Sequence, residues 1–289
     1  MRVTSNSFPN ALQYQLESLA TKQARLQSQA ATGQRFRTPS EDPRATRKVL
    51  ELQQETRRLN QYNENIDLSS EKLNSVYGAI QALKKVSDRA GELAAMVDDM
   101  KSKDQLAAYR QEVNQLIEQS VQIGNTNNQF GYIFGGTRSN TEAYNVTRNE
   151  NGEISGVEYQ GSTQTVGIEI AKGSQISVEM PGSNTTESGT LGLFETREGS
   201  FFGNLIQLRD RLDGGTREDV AYIRDTVTTN LMKDESNVIY HISRVGAIEA
   251  RLETAKTLGT RRITAANEFV SKEVDADLAK TLVKLNEIQ

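Results

Sequence analysis

The chain has 289 residues, 36% hydrophobic but only 6% aromatic, which is lean for one compact core of that size and favours an extended molecule. With 34 basic against 38 acidic residues, the net charge of -4 gives no general electrostatic footprint for nucleic acid or an anionic membrane. The lack of cysteine excludes disulfides, a thiol nucleophile and sulfur-ligated metal, and no run of about 18 apolar residues offers a membrane-spanning helix.

The N-terminus, "MRVTSNSFPNALQYQLESLA", lacks the apolar stretch and small-residue cleavage site of a secretory signal. Within the first 33 residues Leu12, Leu16, Leu19 and Leu26 fall on one helical face, and glutamines fill much of the remainder. A helix this polar is marginal alone, so it needs a partner, either the C-terminal segment or a neighbouring subunit. Two of the chain's four prolines then fall in "RTPSEDPRATRKVLELQ". Asp42 precedes Pro43, where the proline ring disfavours the α region, and its carboxylate can cap a helix that starts at Pro43.

From there the positions Leu59, Tyr62, Ile66, Ser69, Leu73, Val76, Ile80, Leu83, Ser87, Ala90, Ala94 and Val97 step by three and four. That spacing describes one face of a helix packed on another helix. A helix from about residue 43 to 100 would be roughly 87 Å long at 1.5 Å per residue, with Gly78 and Gly91 weakening it locally. After a break near Lys101 to Asp104 a second seam runs through Leu106, Tyr109, Val113, Leu116, Ser120 and Ile123, and "GNTNNQFG" ends it. Two antiparallel helices follow.

At Phe130 the composition changes, and through Arg197 it is rich in Gly, Thr, Ser and Asn. The segments "EISGVEYQ", "TQTVGIEI" and "SQISVEM" alternate as strands, and Asn151-Gly152 signals a tight hairpin. A small antiparallel β insert of about four strands is expected, followed by a loop at "PGSNTTESGT". Helix returns near Phe201, stops at Gly214-Gly215 and restarts with Thr216 as cap. The next seam is Val220, Ile223, Val227, Leu231, Val238, His241, Val245, Ile248, Leu252 and Ala255, with an extra four-residue step after Val227 that predicts local unwinding of the supercoil. Ile263, Phe269, Val270, Val274, Leu278, Leu285 and Ile288 carry a helical stripe to the end of the chain.

The expected fold is mainly α, an elongated antiparallel helical bundle or coiled-coil rod, with a β-rich domain inserted between the second and third long helices. The expected divisions are an assembly helix and loop over 1–42, rod over 43–129, β insert over 130–200, rod over 201–260 and a second assembly helix over 261–289.

Catalytic chemistry is hard to assemble. The only histidine, His241, lies on an apolar seam without a nameable second group, so it reads as a packed or interface histidine. "FGYIFGGTRSN" contains neither phosphate-binding glycine pattern and reads as a turn. Glu273, Asp275 and Asp277 lack the spacing of a calcium loop and read as solvated or intersubunit carboxylates. Arg44, Arg47 and Lys48 read as a solvated helix face. The sequons at Asn145 and Asn184 matter only on a eukaryotic secretory route. The reading is a non-enzyme without cofactor or metal.

Three stretches resemble the bacterial flagellin superfamily. "LQSQAATGQRFRTPSEDPRATRKVLELQ" is similar to the family's passage from the first helix through a Pro-rich loop into the long helix. Its two prolines around an acidic pair are closer to the hook-associated protein 3 branch, the hook-filament junction proteins, than to filament flagellin. "NTNNQFGYIFGGTRSNTEAY" resembles the junction proteins' Tyr-Phe-Gly-Gly-Thr motif. "RVGAIEARLETAK" and "SKEVDADLAKTLVKLNEIQ" are similar to the superfamily's C-terminal region.

The resemblance implies a structural subunit that adapts hook to filament and works outside the cell. It would be exported through the flagellar type III apparatus without a cleaved signal and assembled by coupled folding. Implied partners are other copies of itself, a second hook-associated protein, flagellin, and an export chaperone on the C-terminal region, with no nucleic acid and no membrane insertion. The implied assembly contacts are Leu12, Leu16, Leu19, Leu26, Leu278, Leu282, Leu285 and Ile288, and the loop with Gly33, Pro39, Asp42 and Pro43 would set the angle between inner helix and rod. Family members continue several turns past the position of Gln289, so the chain reads as cut short there. Filament flagellin and an intracellular coiled-coil interaction protein remain alternatives.

Overall fold

The structure is a computed structural model that describes residues 7–184, 191–196 and 199–288. In chain order its elements are α1 (Ser7–Thr32), α2 (Pro43–Met96), α3 (Lys103–Gly124), β1 (Asn127–Asn128), β2 (Gly131–Tyr132), β3 (Tyr144–Arg148) and β4 (Ile154–Tyr159). There follow β5 (Ile168–Ala171), β6 (Ser174–Ile176), β7 (Glu195–Thr196), β8 (Gly199–Ser200), α4 (Phe201–Gly214), α5 (Arg217–Tyr222), a π-helical turn (Ile223–Val227), α6 (Thr228–Val274) and α7 (Leu278–Ile288). This is the expected mainly helical fold with a small β insert. The chain divides into two compact units, one of residues 1–63 with 257–289 and one of residues 64–256.

In the second unit the seam positions of α2 face inward: Ile66, Leu73, Val76, Ile80, Leu83, Ala90 and Ala94 are buried. Seam serines are tolerated because Ser69 and Ser120 return their hydroxyl protons to the carbonyls of Asn65 and Leu116, at 2.7 and 2.6 Å. Ion pairs give the helix directions. Lys84 meets Glu235 at 3.2 Å and Asp67 meets Lys256 at 2.5 Å, so α6 runs antiparallel to α2. Arg89 meets Glu112 at 2.5 Å across the antiparallel α2 and α3. Between them Ser102 and Gln105 form a capping box that starts α3 at the predicted break.

Gly215, at φ 57°, takes the left-handed conformation that closes α4, and the Thr216 side chain accepts from the Asp219 N–H to open α5, as predicted. The π turn ends at Val227, ahead of the extra four-residue step, and its wider loop lets the Thr228 hydroxyl reach the Ile223 carbonyl at 2.9 Å.

The insert differs in detail from the expectation. It contains four separate two-stranded antiparallel ladders, with β5 beginning at Ile168 rather than near Thr163. The two longer hairpins dock on helices instead of on each other. Arg209 on α4 is buried and donates to the Ile154 carbonyl of β4 at 2.6 Å. On the other hairpin, Asn65 of α2 donates to the Glu169 carbonyl of β5 at 2.9 Å. Helix faces therefore satisfy edges that a single sheet would have paired. Gly152, at φ 80°, lies in the β3–β4 connection, as the Asn-Gly signal predicts. The loop expected at residues 181–190 lies in part outside the described residues.

The segment after α3 is held by Asn125, whose side chain accepts from the Tyr144 N–H at 2.8 Å and donates to the Tyr144 carbonyl at 2.7 Å. This brings Tyr144 into a buried aromatic cluster. Phe194 stacks on Phe202 with centroids 4.9 Å apart and meets Phe134, Phe201 and Tyr144 edge-on at 5.6, 6.2 and 5.1 Å. Phe194→Ala should therefore lower stability by about 3–5 kcal/mol, read as a lower denaturant midpoint with an unchanged slope.

In the first unit α1 packs against α7. The helical stripe read as continuous to the chain's end is interrupted: α6 stops at Val274 and α7 starts at Leu278. The break exists because Gln34 and Asp275 form an antiparallel bridge, with the Arg35 N–H on the Val274 carbonyl at 2.7 Å and the Ala276 N–H on the Gly33 carbonyl at 2.8 Å.

Candidate assembly interface

The two terminal helices and the loop between α1 and α2 carry the residues singled out from the sequence. No proline or glycine interrupts residues 10–32, and α1 ends where Gly33 takes φ 70° with its N–H on the Gln29 carbonyl at 2.9 Å. A side chain in that left-handed conformation would be strained.

The two prolines have separate jobs. Pro39 sits second in the turn Thr38–Pro39–Ser40–Glu41, which closes through the Glu41 N–H on the Thr38 carbonyl at 3.0 Å. Pro43 is the first residue of α2, and Asp42 caps that helix by accepting from the Ala45 N–H at 3.0 Å. The other Asp42 carboxylate oxygen takes Arg35 at 3.0 Å, and Arg35 also reaches Glu273 at 3.3 Å.

The acidic run read as solvated or intersubunit carboxylates has local work as well. Glu273 pairs with Arg35, Asp275 accepts from the Ser271 hydroxyl, and Asp277 caps α7 by accepting from the Lys280 N–H at 3.0 Å. Among the described residues no group of three His, Cys, Asp or Glu could hold a metal ion.

The leucines form two classes. Leu12 is 50% exposed, Leu16 63%, Leu19 47%, Leu278 47% and Leu282 51%. Leu26, Leu285 and Ile288 are half-buried. Tyr14 and Val283 add to the exposed set. Each helix thus meets its neighbour and still presents apolar surface. Covering one half-exposed leucine contributes about 1 kcal/mol, so several together can drive association.

In the second unit two polar groups sit on the α6 seam. His241 is buried, with Nε2 at 3.1 Å from the Leu191 carbonyl and no partner for Nδ1 among the described residues. Burial, helped by Arg244, pulls its pKa down to about 4, against the Leu191 and Gly192 backbone contacts. It is a packed neutral histidine.

Asp234, which the sequence reading passed over, is buried and accepts from the Asn204 side chain of α4 at 2.7 Å. Burial pushes its carboxyl up to about 7, with the Asn204 hydrogen bond acting the other way. The available signal was register: Asp234 fills the step between Leu231 and Val238, continuing the alternation of three and four. Arg209 was missed too, since nothing in a charged residue on α4 announces that a strand carbonyl will bury it.

The two shifts have opposite pH consequences. Asp234, raised in the fold, lends stability that is complete below about 4 and lost as pH rises through about 7; His241, depressed, lends stability present above 6.5 and lost as pH falls through about 4. Asp234→Asn should raise the melting temperature by several degrees at pH 8 and by much less at pH 4. Circular dichroism melts at the two pH values check this, and an equal shift at both would contradict it.

Residues 3–136 match the bacterial flagellin N-terminal helical region. No curated protein matches the sequence. Among solved structures, the chain is similar to a Vibrio parahaemolyticus protein described as flagellar hook-associated, at 15% identity and TM-score 0.67, covering 81% of this chain and 100% of that one. FlgL of Bacillus cereus gives 20% identity and TM-score 0.59, over 76% and 99%. The flagellar junction protein FlgL of Legionella pneumophila gives 13% identity and TM-score 0.63, over 79% and 100%.

Proposed function

From a chain whose residues 3–136 match the bacterial flagellin N-terminal helical region and whose fold is similar to that of flagellar hook-associated proteins, we propose a structural subunit of the flagellum that joins hook to filament. The observation that carries this reading is the pair of terminal helices: α1 and α7 pack together, yet Leu12, Leu16, Leu19, Leu278 and Leu282 remain about half exposed or more. Monomers rarely leave such a set uncovered without a use for it.

Assembly covers the leucines with sister subunits, and a heterologous contact repeated without closure generates a helical lattice. The loop with Gly33, Pro39, Asp42 and Pro43 fixes how α1 enters α2, so it sets the angle of the inner layer. The chain is a building block and not a catalyst. It works outside the cell after export without a cleaved signal, between a second hook-associated protein on the hook side and flagellin on the filament side. Before export, a chaperone covers the apolar face of the C-terminal region.

In a strain lacking the gene, electron microscopy should show bare hooks, with unattached flagellin in the medium; full-length filaments in that strain would refute the role. Replacing Leu16 and Leu19 by Ser should remove about 2 kcal/mol or more of interface burial per subunit. That variant should keep the far-ultraviolet and thermal signature of the second unit and fail to enter flagella, whereas normal motility would count against these helices as the interface.

A further inference from the structure

The acidic overall charge conceals a strong segregation. The unit of residues 1–63 and 257–289 holds 15 basic and 10 acidic residues, a net charge of +5, and the unit of residues 64–256 holds 19 and 28, a net charge of -9. Within the positive unit the excess comes from residues 22–58, which hold nine basic and four acidic side chains. These residues include the loop after α1.

Between the end of α1 and that loop lies an open cavity of about 340 Å³ whose lining includes Arg25, Gln34, Arg35, Phe36, Arg37 and Glu41. Its frame is built rather than incidental: Gly33 closes α1, Gln29 donates to the Arg35 carbonyl at 2.6 Å, and Arg35 is shared between Asp42 and Glu273. The guanidinium groups of Arg25 and Arg37 make no ion pair among the described residues, and both residues are exposed. Glu41, the carboxylate in the lining, accepts from the Arg37 N–H at 3.4 Å and the Thr38 hydroxyl at 3.2 Å, which leaves the side chains of three arginines against one acid. Three arginines thus line one cavity with a single carboxylate, an excess of positive charge that an anion relieves, and guanidinium groups match carboxylate geometry.

We propose that this cavity receives carboxylate side chains from the acidic unit of a second copy of the chain. The inference rests on the assembly reading above and names the polar half of the contact whose apolar half is the leucine set. The charge complementarity lies within the molecule's own composition, since each copy offers one arginine cavity and one unit of charge -9. Glu142 and Glu150 of the acidic unit are exposed and carry no ion pair among the described residues. Opposite charge across a repeated heterologous contact also fixes which surface meets which, because a contact between two positive or two negative units would place like charges together.

The test places a photo-crosslinking residue at Gln34 of the full chain in cells and analyses purified flagella by mass spectrometry. The expected product is an adduct between position 34 and residues 64–256 of another copy. Adducts confined to a different protein, or within one chain only, would overturn the proposal. In the same background, Arg25→Glu with Arg37→Glu should reduce the adduct at least tenfold, and Arg25→Lys with Arg37→Lys should largely retain it. An undiminished adduct in the glutamate variant would also overturn it. The bare-hook phenotype of the deletion strain stands or falls separately, so the two readings can fail independently.

Discussion

The first unit depends on a short antiparallel contact between two breaks far apart in sequence. Gly33 to Arg35 meets Val274 to Ala276 through two backbone hydrogen bonds of 2.7 and 2.8 Å. The Arg35–Glu273 pair at the same place spans a sequence separation of 238 residues. Its side chains are each 43% exposed, so screening leaves the ion pair at less than about 1 kcal/mol. The backbone pairing and the left-handed Gly33 therefore specify the junction, with the charges adding direction. Once that junction forms, α1 must end, α7 must begin, and Asp42 and Asp277 become the caps of the helices that leave it.

The second unit depends on apolar burial disciplined by a few buried polar groups. A seam of Ile, Leu, Val and Ala alone would tolerate sliding by a turn. Asp234 meeting Asn204, Arg209 meeting the Ile154 carbonyl and His241 meeting Leu191 each demand one register, because an unpaired buried polar group costs several times what a net hydrogen bond contributes. These contacts oppose one another in pH, since the carboxyl favours its protonated form and the imidazole its neutral form. The aromatic cluster around Phe194 supplies dispersion and area where the strands meet α4.

The two units differ in what they bury and what they expose. The second buries nearly all its seam residues, while the first leaves leucines uncovered and gathers positive charge. Apolar surface supplies free energy without direction; charge supplies direction with little free energy once screened. Their combination on the terminal helices and the loop between α1 and α2 provides both.

Local rules made most of the helical architecture legible. Spacings of three and four marked α2, α3 and α6, the Asp42-Pro43 step marked a helix start, Gly214-Gly215 and Thr216 marked a stop and restart, and Asn151-Gly152 marked a hairpin, because each depends on residues within one or two turns. What tertiary structure alone decided was long-range: the break at Asp275–Asp277, forced by pairing with Gln34, the separate docking of each hairpin on a helix, the burial of Asp234 and Arg209, and the meeting of three arginines at one cavity. In each of these cases the deciding hydrogen bond or charge comes from a residue distant in the chain, and such partners leave no periodic trace in the sequence around the residue they fix.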